Sequence, residues 1–302
     1  MDVRAMMDRL RNGPRYSICI THFNNGPTVR RSIESILSQI DDSFEIVVVD
    51  NESTDGSYEI LREFSELGEI KLIRARCSRG RGRQIAFENS TGDYVIANMD
   101  MDDVFRPRLL ELLKRYHEVA EGKLLWAYSR MRGQGFWGGE AFTIASRELI
   151  NDLGGWRDLQ VFEDRELCCR AARMGDFRTA TFSLLESTNM HTERTRTLVG
   201  RLGWKYLRYR EILRCGFPLQ LWNRRETWKQ KVIRVGMRAF VLPFYETYVD
   251  PFNYDFDSDD PRYSVGDLDA SETGGSGRGR DEDTAPRDDR DKPLLDLRHD
   301  RQ

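Results

Sequence analysis

The first hundred residues exchange short apolar runs and amphipathic runs at a regular period, and this restricts the fold more than any other feature. Tyr16 to Ile20 is an apolar run, and Thr28 to Ile40 spaces Val29, Ile33, Ile36, Leu37 and Ile40 as one face of a helix. Glu45 to Val49 is a second apolar run, followed by a polar turn (Asn51 to Ser57) and a helix expected over Tyr58 to Leu67. Ile70 to Ala75 reads as a third strand, Arg83 to Asn89 as a helix, and Tyr94 to Met99 as a fourth strand buried on both faces. Strand and helix alternating in this way predict an α/β fold, a parallel sheet with right-handed crossovers.

Open sheets of that kind bind ligands at the carboxyl edge of their strands. Carboxylates gather at that edge here: Asp50 closes the second strand, and Asp100, Asp102 and Asp103 follow the fourth. Clustered carboxylates repel one another unless a cation lies between them, and hard oxygen ligands suit Mg²⁺ or Mn²⁺. A divalent ion beside a doubly wound sheet points to a phosphorylated or nucleotide substrate.

Each acid also has a purely structural role open to it. Asp50 suits a turn cap, and Asp103 suits the cap of the helix expected after Arg106-Pro107. Glu163 and Asp164 open a helix expected over Glu163 to Met174, where acids complement the dipole and Glu163 with Glu166 resembles a capping box. Gly80-Arg81-Gly82 is too short for a dinucleotide fingerprint, and Arg79, Arg81 and Arg83 suit a solvated helix start.

Beyond Arg106-Pro107 a helix is expected to about Ala120. Strands follow at Leu124 to Ser129 and Ala141 to Ala145, flanking a Gly- and aromatic-rich loop, Gly133 to Gly139. A short helix, Arg147 to Leu153, stops at Gly154-Gly155, and one strand is expected over Phe177 to Leu185. Residues 200–250 carry 11 Lys and Arg against 4 acids, whereas 251–302 carry 15 acids against 8 bases. The first stretch interleaves its bases with aromatics, as an amphipathic helix on an anionic membrane does, or as a helix packed on its own domain does. The second is poor in large apolar groups, and disorder is expected over 255–302. Cys19, Cys77, Cys168, Cys169 and Cys215 lack metal spacing and read as reduced thiols. The charged run of residues 1–15 is no signal peptide, and no apolar stretch is long enough to span a bilayer, so a cytoplasmic protein is expected.

Taken together, these motifs resemble the family 2 glycosyltransferases of GT-A fold, over about Tyr16 to His191. The family's opening strand and loop appear as Ile20-Thr21-His22-Phe23-Asn24, with Thr21 in place of the usual Pro. Ile46 to Ser57 is similar to the strand and turn that contact the nucleotide base, with Asn51 where the second acid usually stands. The G-x-G-x-A-R-N pattern keeps only Gly80, Gly82 and Arg83, and Gln84 departs from it. Asp100 to Asp102 is the D-x-D motif, and Gly154-Gly155-Trp156 with Glu163-Asp164 is the acceptor-side pattern.

The resemblance implies a Rossmann-like, doubly wound, mostly parallel sheet over 16–199, with a nucleotide-binding half (16–103) and an acceptor half (104–199). A basic helical extension (200–254) follows it. It implies a metal-dependent inverting transfer from a UDP- or GDP-linked sugar to a glycan or lipid-linked hydroxyl, with no nucleic acid; peripheral membrane contact is expected where the basic stretch lies on a membrane. Thr21, Phe23, Asn24, Asp50, Arg83 and Asp100 would hold the donor. Asp102, Asp100 and His191 would hold Mg²⁺ or Mn²⁺. Asp164 would act as base beside Glu163, and Trp137, Gly138, Gly139 and Trp156 would line the acceptor side. A nucleotidyltransferase of related fold, or a non-catalytic nucleotide-sugar or partner-binding module, would share the sheet but have no use for the Glu163-Asp164 pair.

Overall fold

The computed structural model describes residues 15–128, 141–188 and 261–268, with scattered positions between 203 and 239. The chain divides into two units, Met1–Asp269 and Ala270–Gln302, and the second lies outside the described residues. So do Trp137, Gly138, Gly139 and His191.

Eight strands form the main sheet: β1 (Tyr16–His22), β2 (Phe44–Asp50), β3 (Lys71–Arg74), β4 (Tyr94–Ala97), β6 (Leu124–Tyr128), β7 (Ala141–Ser146), β8 (Phe177–Thr181) and β10 (Ser264–Asp267). Their spatial order is β10-β8-β6-β7-β4-β1-β2-β3. Only β7 runs antiparallel to its neighbours; every other pairing is parallel. The expected mostly parallel, doubly wound sheet is therefore present.

Side-chain alternation divides the core into two layers. Ile18, Ile20, Ile46, Val48 and Ile96 face one cluster, closed by helices α1 (Val29–Leu37), α2 (Ser57–Glu66) and α4 (Leu109–Val119). Cys19, Val47, Val49, Val95 and Ala97 face the other, closed by α3 (Arg79–Glu88), α5 (Arg147–Asp152) and α6 (Glu163–Met174). A strand buried on both faces reads as a continuous apolar run, which is why β2 and β4 stand out in the sequence. All five cysteines are free thiols, as expected.

Three local expectations are corrected. Asp103 does not cap α4; it begins β5 (Asp103–Phe105), which pairs antiparallel with β9 (Leu185–Thr188) in a second small sheet. The first turn of α4 instead receives the Gln39 Oε1 acceptor on the Leu109 amide, 2.9 Å away. The single strand expected over Phe177 to Leu185 is two, because Phe182 and Leu184 turn into the core and the chain then leaves for β5. Within the stretch expected to be disordered, Ser264–Asp267 adds β10 beside β8, with Leu268 only 7% exposed. Two apolar residues set among aspartates give no periodic signal, yet they suffice for an edge strand when the partner is already in place.

Candidate donor and catalytic site

The parallel register aligns strand ends. His22 of β1 lies opposite Asp50 of β2, which lies opposite Arg74 of β3. Asp50 is fully buried. Its Oδ2 accepts a 3.0 Å hydrogen bond from the Ser53 amide and lies 3.8 Å from Arg74 Nε, so the turn cap is real. Its Oδ1 is buried with no protein partner. His22 is 1% exposed and neither ring nitrogen has a partner; burial holds it below the ordinary histidine value, against the pull of Asp50 and Asp55. Asn98 Oδ1, after β4, is likewise buried and unpartnered. Buried polar atoms without protein partners are uncommon, and they are where the polar groups of a ligand can bond.

Backbone conformation marks the same edge. The only non-glycine residues with positive φ among the described residues are Asn24, Glu52, Asn98 and Phe162. The first three follow β1, β2 and β4, and the fourth precedes α6. Left-handed backbone away from glycine costs roughly 1–3 kcal/mol and clusters at functional sites. Asn24 ties the first two loops: its side-chain Oδ1 accepts from the Thr54 amide at 2.8 Å, and its backbone amide donates to Ser53 Oγ at 3.0 Å. Phe23 beside it is 45% exposed.

Burial also distinguishes residues of the D-x-D segment. Met99 and Met101 are 1% exposed, whereas the Asp100 side chain is 48% exposed. The segment is pinned from beneath, because Thr28 Oγ1 donates to the Met101 carbonyl at 2.9 Å and the Asp103 amide to the Asp100 carbonyl at 3.2 Å. No three His, Cys, Asp or Glu side chains converge into a ready metal cage among the described residues. A pair of carboxylates does fit Mg²⁺ or Mn²⁺, which bind nucleotide substrates through one or two carboxylates, with water and phosphate oxygens completing the sphere.

Helix α3 starts at Arg79, four residues earlier than expected, capped by Ser78, whose Oγ accepts from the Arg81 amide at 3.1 Å. Its glycines serve close packing. A Cβ at Gly80 would overlap the Arg157 carbonyl oxygen, and one at Gly82 would overlap the Thr21 methyl. The Gly80 amide donates to the Leu159 carbonyl at 2.8 Å. This wedge between β1 and the loop at 157–159 carries Arg83 into the interior, where its side chain is 3% exposed.

Arg83 is the hub of the site. Its Nη1 pairs with Glu163 and, at 2.8 Å, with Asp164 Oδ2; its Nη2 lies 3.7 Å from Asp100 Oδ1. Burial works against its charge, but the carboxylates outweigh that and raise its pKa above the ordinary value. Arg79 Nε lies 3.8 Å from Glu163 Oε1. Asp164 is held on both oxygens, since Trp156 Nε1 donates to its Oδ1 at 3.2 Å. Burial pushes the Asp164 carboxyl up to about 8, against the pull of Arg83 and with Glu163 and Asp100 adding to the rise.

Trp156 is 4% exposed and packs edge-on against Phe87. It supports Asp164 from beneath, and its ring is not an open wall for an acceptor. Its amide donates to Gln84 Oε1 at 2.8 Å, and Gly155, at φ +69°, leaves room for that side chain. Glu163 and Glu166 form no capping box, because other partners take them. Glu166 is gripped by Arg170 (2.7 Å) and Arg157 (3.0 Å), and Arg170 also donates to the Gly155 carbonyl at 2.6 Å. His22, Arg79, Gln84, Asn98, Glu166 and Arg170 are thus part of the site or its frame. His22, Gln84, Glu166 and Arg170 stand inside the family motifs without a role assigned to them there, and Arg79 and Asn98 adjoin those motifs.

A doubly wound sheet with a carboxylate pair after β4 and a buried Glu-Asp pair opening α6 is the layout of a GT-A nucleotide-sugar domain. Residues 17–150 match the sequence model of Glycosyl transferase family 2. EpsE of Bacillus subtilis (strain 168), provisionally named a glycosyltransferase, is 32% identical over 135 residues, 41% of this chain and 48% of EpsE. The chain thus spans about half the length of that relative. Among solved structures, the mannosyltransferase PcManGT from Pyrobaculum calidifontis, in complex with GDP-Man and Mn²⁺, superposes with TM-score 0.51 at 21% identity. The match covers 67% of this chain and 63% of that one. TarS residues 1–349 of S. aureus, in complex with UDP-GlcNAc, gives TM-score 0.51 at 16% identity, covering 75% and 73%. At these identities the likeness establishes the fold.

Proposed function

We propose that the protein is a metal-dependent, inverting glycosyltransferase that moves a sugar from a UDP- or GDP-linked donor to a hydroxyl acceptor. The observation that carries this is the placement of Asp164, held by Arg83 and Trp156 beside the Asp100 segment at the carboxyl edge of the sheet. Inverting transfer needs a base within hydrogen-bond reach of the acceptor hydroxyl. A carboxyl whose pKa is raised accepts a proton more readily, once ionised, than a surface aspartate does. Two fixed donors on Asp164, one on each oxygen, set its orientation and leave a lone-pair position on each oxygen to take the acceptor proton. Glu163 shares Arg83 and Arg79 with it and keeps that cation in place.

On the donor side, Asp50 Oδ1 and the Asn24 loop are suited to the base, and the exposed Phe23 ring to stacking. Asp102, with Asp100, would hold Mg²⁺ or Mn²⁺, which when bound neutralises charge developing on the departing diphosphate. His191 and the 137–139 loop keep their proposed metal and acceptor roles on sequence grounds. A glycan or lipid-linked acceptor fits a family 2 domain, and no nucleic acid is invoked.

The test is release of free UDP or GDP from UDP-GlcNAc or GDP-mannose with MnCl₂. Asp164→Asn should retain the fold and donor binding yet lose about 100-fold or more in turnover. Near-normal turnover by the folded variant removes Asp164 from this role. Asp102→Ala should abolish the Mn²⁺ dependence of UDP affinity in calorimetry, and an unchanged dependence refutes the metal assignment.

A further inference from the structure

The basic extension splits into two parts with opposite surroundings. In the part nearer the catalytic domain, Glu211, Leu213 and Cys215 are 2%, 4% and 3% exposed. Glu211 Oε2 accepts from the Val161 amide at 2.7 Å, so this part packs on the loop that leads into α6. Further along, Trp228, Val232, Val235 and Ala239 are also helical, and all four are exposed. Trp228 is 70% exposed and the two valines 62% each. Large exposed apolar side chains elsewhere among the described residues are well separated along the chain. These four recur at i, i+4, i+7 and i+11, which at 100° per residue confines them to a stripe about 60° wide.

Charge in the surrounding sequence is one-sided. Residues 222–240 contain Arg224, Arg225, Lys229, Lys231, Arg234 and Arg238 against Glu226 alone. We propose that the Trp228–Val232–Val235–Ala239 stripe docks on an anionic phospholipid surface. Apolar side chains would enter the boundary between headgroups and acyl chains, and the flanking bases would reach anionic headgroups. A second copy of this chain fits the stripe poorly. Pairing would bring two strongly basic segments together. No helix among the described residues is long and apolar enough to cross a membrane. The inference deepens the proposed function by naming a surface at which its acceptor would be met, but its test reads vesicle binding and stands apart from catalysis.

The experiment is co-sedimentation of the full chain with vesicles of phosphatidylcholine alone and of phosphatidylcholine mixed with phosphatidylglycerol. Binding to the anionic vesicles should be at least tenfold tighter, and should fall as salt shortens the Debye length from about 10 Å at 0.1 M to about 3 Å at 1 M. Val232→Asp with Val235→Asp should lose at least tenfold in vesicle affinity while the melting temperature and the release of UDP or GDP stay unchanged. If that pair misfolds, Lys229→Glu with Lys231→Glu tests the same claim through charge alone and should bind at least tenfold more weakly. Equal binding to both vesicle types, binding to neither, or native-like binding by the folded variants overturns the proposal. Concentration-dependent dimerisation that the valine variants abolish also overturns it, and assigns the stripe to a second copy. Catalytic failure of the native chain would leave these vesicle results standing.

Discussion

Glu45 and Asp50 sit on the same strand, five residues apart, at opposite edges of the sheet. Glu45 Oε1 accepts from Ser17 Oγ at 2.7 Å, from Thr91 Oγ1 and the Gly92 amide at 3.0 Å, and from the Thr91 amide. Arg147 closes that corner by donating to the Gly92 carbonyl at 2.6 Å and Ser90 Oγ at 2.8 Å. At the other edge Asp50 Oδ1, both His22 nitrogens and Asn98 Oδ1 have no protein partner. Glycine supplies the turn at the amino edge, where a Cβ at Gly92 would press on Ser17, whereas the carboxyl edge holds Asn24, Glu52 and Asn98 in left-handed backbone. One edge spends its polarity on the fold and the other leaves it for a ligand. Proteins pay stability for such sites, so removing a polar group that has protein partners should destabilise at either edge, whereas removing an unpartnered one at the carboxyl edge should not.

The largest effect should come from Arg83→Ala. It leaves Glu163, Asp164 and Asp100 without their shared cation, and losing one partner of a buried ion pair costs about 3–5 kcal/mol. Chemical denaturation measures this. A loss under about 1 kcal/mol would mean that water already reaches the cluster, and that the carboxyl edge is not the buried electrostatic site described.

A smaller loss, about 1.5 kcal/mol at neutral pH, is expected for Glu45→Gln, because hydrogen bonds to a charged acceptor are the stronger ones. Burial alone would raise the Glu45 pKa, but the Thr91, Ser17 and Gly92 donors lower it below the ordinary glutamate value. A depressed carboxyl contributes stability that is present above its unfolded pKa and is lost as pH falls through the folded one. The native protein should therefore weaken as pH drops below the ordinary glutamate range, and the variant should show a shallower acid limb. Denaturation midpoints across pH check this, and identical acid limbs would remove Glu45 from that account.

The smallest effect sharpens the comparison most. His22→Leu removes two unpartnered buried nitrogens in exchange for an apolar side chain, so the melting temperature should hold or rise slightly. A loss as large as that of Glu45→Gln would break the contrast between the edges, because it would show His22 to be a structural residue like its counterpart.

Much of this architecture was legible locally. Helical spacing placed α6 over the residues where it is found, Glu163–Met174, and continuous apolar runs located β2 and β4. The position of Asp100 and Asp102 just past β4 follows from the apolar run that defines that strand. By contrast, the partner of Arg83 lies eighty residues away, on α6. Its burial depends on glycines whose purpose appears only when α3 meets β1 and the 157–159 loop. Trp156 behaves alike, since an aromatic after two glycines suits a surface wall until α3 and α6 close over it. Asp103 and β10 depend on strands β9 and β8, which arrive from distant parts of the chain. Periodicity reports which face of an element is apolar. Which element covers that face, and which charge ends up beneath it, is decided by long-range packing, because the free energy of burial and ion pairing depends on neighbours that local spacing does not specify.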